Sequence, residues 1–193
     1  MSNTVRKTVT SFTTQRVEFT STKSIKQTLS ILDEELNKDK AGLALKKIIY
    51  EAHNKDEIEA GLETLLEGKR DFLCVSLSVV HTSTMYSHFS RFFWGLSHSV
   101  WMRKYFGGSV AFPEAHVITL GNPLTAATIV PHDSRAGLYA PVRVLVQETQ
   151  EGGTLVAYDL PSSGMIRPES TDELKNAAHA LDATLEKLFN KIL

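Results

Sequence analysis

Two histidines are the side chains of this sequence best suited to move protons, because an imidazole titrates near neutral pH. His81 follows an apolar run, and His132 lies in a loop beside Asp133. Because the side chains of adjacent residues diverge, we expect Asp133 or Glu148 to orient a histidine that another element carries. The sequence thus predicts His81 and His132 as acid and base, with Asp133 and Glu148 as the carboxylates of a catalytic site.

Some of these residues also have a purely structural interpretation. A lone histidine at the end of a buried strand, such as His81, is often a hydrogen-bonded core residue. Asp133 can cap the turn over residues 134–137, with His132 packed beside it. The turn around Asn122, between a glycine and a proline, is also explained by backbone geometry alone.

Glu148 lies on a strand in which apolar and polar residues alternate. It falls on the same side as Val144 and Val146, which is unusual for a carboxylate. A buried carboxylate needs a partner or takes up a proton, and Arg143 and Lys104 are the candidate partners. Exposure of Glu148 near the end of the strand is the alternative.

Aromatic residues are concentrated between residues 82 and 112. This segment could be a lid over an apolar cavity, a seal between two copies of the chain, or an extension of the core. Its basic residues add binding to a membrane surface as a further option. The side chains expected to bind a substrate are Tyr86, Trp94, Trp101, Asn122 and Tyr139.

The chain contains seven histidines and one cysteine, Cys74. No HExxH motif or similarly spaced pair occurs, so a metal site would have to be assembled from dispersed residues, and a haem is a weaker alternative. We expect neither a metal nor a cofactor. Cys74 lies in an apolar strand and is expected to be an inert thiol.

Length and composition exclude several classes of protein. The 193 residues suit one ordinary domain, and 42% of them are apolar, which argues against wholesale disorder. The net charge of -1 provides no basic field for nucleic acid. No apolar run reaches the roughly 20 residues of a membrane span. We therefore expect a cytoplasmic protein that binds neither nucleic acid nor the membrane interior.

Hydrophobic periodicity predicts an α+β fold with an antiparallel sheet covered on one side by helices. Residues 16–20 alternate as a strand, and residues 142–149 and 154–160 form a hairpin around two glycines. A long amphipathic helix ends the chain, and Ser170 and Glu173 are predicted as its capping box.

The predicted organisation is a flexible tail over residues 1–15 and a single domain over residues 16–193. A capping box at Ser24 begins the first helix of the domain. Two insertions are expected, a helical one at about residues 41–68 and the aromatic one at about residues 82–112.

Several motifs occur together in a characteristic order. They are a Gly-Asn-Pro-Leu turn in residues 116–124, an Ala-Gly-Leu segment and a Pro-Val-x-Val-Leu-Val strand in residues 132–148, and a Tyr-x-x-Pro-Ser close in residues 157–163. Together they resemble the family known as domain of unknown function 302. Residues 16–36 resemble its first strand and helix, and residues 72–81 a strand that ends in histidine.

The resemblance implies a small β-α-β(4)-α fold of the TATA-binding-protein and helix-grip type, and the family itself has no assigned role. Its fungal-type members are expected to carry His-Gly followed shortly by Trp-Leu. Here His81 is instead followed by Thr82 and then by the aromatic insertion. This departure indicates a remodelled pocket.

Two functions fit these observations. The first is a cofactor-independent enzyme, of lyase, isomerase or cyclase type, that transfers protons on a hydrophobic substrate in a cavity between sheet and terminal helix. The second is a non-catalytic carrier of an apolar ligand, with a homodimer as an option. The sequence favours the enzyme slightly, because several titratable residues could converge.

Overall fold

An antiparallel sheet forms the centre of the structure, a computed structural model that describes residues 4–75, 95–107 and 111–193. Its strands run in the order β1-β6-β5-β4-β2, and β3 pairs with β4 as well. The α+β class with an antiparallel sheet, as expected from the sequence, is confirmed. The strands are β1 (Arg16–Ser21), β2 (Leu73–Cys74), β3 (Gly95–Ser97), β4 (Ala115–Gly121), β5 (Val142–Glu148) and β6 (Thr154–Asp159).

Seven helices and one 3₁₀ turn are present in the described part of the chain. The capping box at Ser24 is confirmed, since its side chain and that of Gln27 each accept a main-chain N–H of the other residue. The helices are α1 (Ile25–Glu35), α2 (Lys38–Glu51), α3 (Lys55–Leu66), α4 (His98–Tyr105), α5 (Pro123–Ile129), α6 (Pro161–Met165) and α7 (Asp172–Ile192), and the 3₁₀ turn is Ser134–Leu138.

The cap of the last helix differs from the prediction by one residue. Thr171, and not Ser170, is the N-cap of α7, and its hydroxyl accepts the N–H of Leu174 at 3.3 Å. The Ser170 hydroxyl instead accepts the N–H of Arg167 at 2.8 Å. Both adjacent hydroxyl residues are of a type that caps helices, and the preceding turn already uses Ser170.

The edge of the sheet next to β4 is formed by two pieces of chain in one continuous register. Cys74 pairs with Leu120, and the N–H of Val75 donates to Thr119. Gly95 then pairs with Ile118, the next residue of β4. Residues 76–94 are therefore inserted between two consecutive positions of one edge strand. The predicted continuation of the strand over residues 76–80 lies outside the described residues.

The inner face of the sheet packs directly against α7. Leu185 and Phe189 of this helix are 0% exposed, and they share one cluster with Val144 and Val156 of the sheet, which are 1% and 0% exposed. Burying each large side chain of this kind stabilises the fold by about 1.5–3 kcal/mol. The apolar stripe predicted for the last helix thus forms the core of the domain.

The end of α7 is held by the segment between β1 and α1. The ammonium group of Lys23 donates to the main-chain oxygens of Ile192 and Leu193 at 3.0 and 2.9 Å. A basic side chain at this position satisfies carbonyls that lack a partner within the helix.

None of the helices in the described ranges combines the length and the apolar character needed to cross a bilayer.

Candidate functional site

An apolar pocket of about 210 Å³ opens where α2, α5 and the end of β4 meet, and we call it the corner pocket. None of its described lining residues has an ionisable side chain. The floor is buried, because Ile129, Val142 and Leu181 are 0%, 5% and 4% exposed, whereas Ile49 at the rim is 48% exposed. Further lining comes from Leu45, Val75, Gly121, Asn122, Pro123, Thr125, Ala126, Ala140 and Pro141.

The turn between β4 and α5 shapes one wall of this pocket. The side-chain oxygen of Asn122 accepts the N–H of Leu124 at 2.9 Å, and its amide nitrogen donates to the main-chain oxygen of Asp71 at 3.1 Å. Pro123 begins α5, where its missing N–H costs no hydrogen bond. Asn122 therefore lines the pocket, but the oxygen and the nitrogen of its side chain are both hydrogen-bonded within the protein. The side-chain oxygen is the N-cap of α5.

Gly121 allows three segments to meet at the same wall. A Cβ atom at this residue would lie 3.0 Å from Cβ of Pro141 and 3.3 Å from Cγ2 of Val75. A side chain here would push apart the end of β4, the edge strand and the loop that precedes β5. The missing side chain of Gly121 thus sets how closely these segments approach and how wide the pocket is.

His132 lies one turn beyond the floor of the pocket. Its main-chain N–H donates to the oxygen of Ile129 at 3.1 Å, and the residue is exposed. The pKa of Glu173 is lowered by hydrogen bonds from its own main-chain N–H and from Thr171, and the charge of His132 contributes further. His132 therefore lies near the first turn of α7.

Asp133 caps the 3₁₀ turn, as in the structural interpretation of its sequence. Its Oδ1 accepts the N–H of Arg135 at 2.9 Å, and the guanidinium of Arg135 donates to both carboxylate oxygens at 2.8–3.1 Å. These hydrogen bonds with Arg135 lower the pKa of Asp133. Both oxygens are thus held by Arg135, two residues along the chain.

Glu148 lies at the opposite end of the sheet from His132 and Asp133. Those two residues precede the start of β5 at Val142, whereas Glu148 ends this strand, about 20 Å further on at the usual rise per residue. Arg143 lies on the other face of β5, and no ion pair joins Glu148 to any residue of the described ranges. The structure does not bring these three candidates together.

Tyr139 does not line the corner pocket, although Ala140 does, and it lies beside a groove on the outer face of the sheet. Its ring packs over Gly164, where a side chain would have no room. The ring of Phe12 meets it edge-on, with centroids 6.3 Å apart. Tyr139 thus fixes the segment before β1 to α6, and it shares no pocket with Asn122.

The remaining predicted site residues fall in or beside the aromatic segment. His81, Tyr86 and Trp94 lie outside the described residues, and Trp101 belongs to α4 without a described side chain. Within residues 4–75, 95–107 and 111–193, no group of three or more His, Cys, Asp or Glu is arranged to hold a metal ion. Burial raises the pKa of Cys74 to about 12, which fits the expected inert thiol.

Sequence reasoning missed most of the corner pocket. Leu45 and Leu181 look like core positions of two amphipathic helices, and Ala126 like an ordinary helix residue. Only the turn around Asn122 carried a local signal. The pocket arises where separate elements meet and their apolar side chains do not fill the space.

Comparison with known proteins gives a family match. The family described as domain of unknown function DUF302 matches residues 89–192, which include β3 to β6 and α4 to α7. The helix-grip likeness and the fungal-type insertion stay predictions. A search of curated proteins finds no match.

A solved structure shows the same fold. It is the crystal structure of an uncharacterized conserved protein DUF302 from Bacillus stearothermophilus, with a TM-score of 0.56 over 92% of this chain and 98% of that chain. The sequences are 13% identical, so the likeness concerns the fold alone.

Proposed function

Because the chain belongs to the family of domain of unknown function DUF302, whose description names no activity, we propose a function from geometry: the corner pocket binds a small apolar molecule without converting it. The observation that carries this proposal is the lining, which is apolar and without ionisable groups among the described residues. Such a surface favours an apolar ligand over water, and it offers no acid or base.

The volume of the pocket limits the size of the ligand. Sites for drug-sized molecules measure roughly 300–1,000 Å³, whereas an apolar cavity of about 150 Å³ accepts benzene. At about 210 Å³, the corner pocket suits a molecule of one aromatic ring or a short branched chain. At about 0.3–1.5 kcal/mol for each non-hydrogen atom, a ligand of about seven such atoms gains roughly 2–10 kcal/mol, which sets its dissociation constant between tens of millimolar and tens of nanomolar.

A pair of neighbouring alanines in α5 provides a matched test. Ala126 lines the pocket and is half-buried, whereas Ala127 is exposed and does not line it. Ala126→Leu should fill the pocket and abolish binding of fluorobenzene, measured by ¹⁹F NMR line broadening. Ala127→Leu should leave binding unchanged. Equal binding of fluorobenzene by the two variants would refute the proposal. So would a wild-type protein that binds neither fluorobenzene nor any other apolar molecule of similar size.

Proton transfer on the same kind of molecule is the second candidate. The observation that favours it is the position of His132, one turn from Ile129 on the pocket floor. Native mass spectrometry of the purified protein would identify a co-purified molecule, which is then incubated with the protein in D₂O. Deuterium incorporation by the wild type but not by His132→Ala would support an enzyme, and no incorporation by either would favour the binder.

A further inference from the structure

The outer face of the sheet, opposite α7, carries an apolar row that crosses neighbouring strands. Ala157, Leu145 and Val117 stand side by side in β6, β5 and β4, and Glu18 of β1 continues the row at one edge. Leu145 and Val117 are partly exposed. In many antiparallel sheets the face away from the helices is polar, so this row needs an explanation.

This face is concave and has an apolar protrusion beside it. A groove of about 370 Å³ lies over the row, and Leu138 at its rim is 81% exposed. Among the described helices, only α6 contributes to the lining, through Gly164. A protrusion next to a groove on the same surface suits a two-fold interface, because each copy then offers both parts.

The outer face also carries one acidic and one basic side chain that could pair with those of a second copy. Arg16 and Asp159 form an ion pair at 2.8 Å. Glu18 and Arg143, in contrast, form no ion pair or side-chain hydrogen bond with any residue in the described ranges. They stand on different strands and different rows of the face, with β6 between them.

We infer that the outer face of the sheet is the interface of a two-fold homodimer of this chain. In this dimer Glu18 of each copy faces Arg143 of the partner subunit, and Leu138 of each copy enters the partner's groove. The face measures roughly 24 Å by 20 Å at standard strand spacing. Two such faces bury on the order of 1,000 Å², so the dimer is of the weak, reversible kind.

Charge reversal tests this interface without depending on a ligand. Glu18→Arg and Arg143→Glu each place like charges opposite one another, and each should raise the dimer dissociation constant on the order of tenfold or more. The double variant restores opposite charges and should recover dimerisation. Sedimentation velocity over a concentration series measures all three, and Glu151→Arg, in the exposed β5–β6 turn, is the control.

Recovery in the double variant separates a lost contact from a folding defect, because a misfolded chain would not regain its partner. A wild type that remains monomeric at all concentrations would overturn the inference, as would a dimer that both single variants leave unchanged. Failure of the double variant to recover, with unchanged circular dichroism, would likewise show that Glu18 and Arg143 do not meet.

Discussion

The layer between α7 and the sheet and the corner pocket are both lined by apolar side chains, but only the first is filled. In the layer, one long helix presents a continuous stripe to long strands, and Leu185 and Val144 are at most 1% exposed. At the corner, side chains from α2, α5, α7 and the ends of β4 and β5 meet and leave about 210 Å³. Apolar composition alone therefore does not predict packing. What decides it is whether one helix face meets one sheet face or several separate segments must fill the space together.

Two leucines of α7 make this comparison measurable. Leu185 is enclosed on all sides, whereas Leu181, one turn earlier, lines the corner pocket. Leu185→Ala should destabilise the fold by about 3–4 kcal/mol, since the cavity it leaves cannot collapse. Leu181→Ala should cost about 1–2 kcal/mol less, because its side chain already lacks contacts on the pocket side. Urea denaturation measures both, and equal losses would show that the pocket is filled in solution.

The buried layer also predicts a loss of stability at alkaline pH. Burial, together with the charges of Asp182 and Glu186, raises the pKa of Tyr158 from 10.0 to about 12. The unfolded chain therefore releases this proton first, so stability is full below pH 10 and falls as the pH rises from 10 to 12. At 1.36 kcal/mol per unit, the loss is about 2–3 kcal/mol.

Tyr158→Phe should remove this part of the pH dependence. Tyr50→Phe is the control, because Tyr50 is 74% exposed and should leave the dependence intact. A Cys74→Ala background is used throughout, since the buried Cys74 thiol has a pKa raised in the same direction. Chemical denaturation at several alkaline pH values gives the slopes, and the same slope in Tyr158→Phe would contradict the prediction.

The smallest expected effect concerns the pocket itself. Ala126→Leu adds apolar atoms to a space that is already open, and should raise stability by about 0.5–1 kcal/mol. Ala127→Leu on the solvent side of α5 should change it by less than about 0.5 kcal/mol. A clear destabilisation by Ala126→Leu alone would mean that the corner is packed more tightly than the layer comparison implies.

Local signals in the sequence were sufficient for most of the fold. The helix cap at Ser24 and the hairpin around Gly152 depend on residues within a few positions of one another, and each lies where expected. At the start of α7, Ser170 and Thr171 are both cap-forming residue types, and the hydrogen bond from Arg167 occupies the hydroxyl of Ser170.

The candidate site was less predictable because its chemistry depends on distant neighbours. Asp133 had two interpretations, and the hydrogen bond from the N–H of Arg135 to its Oδ1 shows that it caps the 3₁₀ turn. Glu148 was correctly placed on the side of Val144 and Val146, but the length of β5 separates it from His132. Hydrophobic periodicity does not reveal the break in the edge strand. The strand resumes at Gly95 through backbone hydrogen bonds with β4, which do not depend on an apolar side chain.

The continuity of that register has a consequence for the evolution of the chain. Val75 and Gly95 face neighbouring residues of β4, so the ladder would close if the two were joined directly. The sheet sets no length for whatever is spliced between them. During evolution, this position can therefore gain, lose or change the length of an inserted segment without a change in the pairing of the sheet.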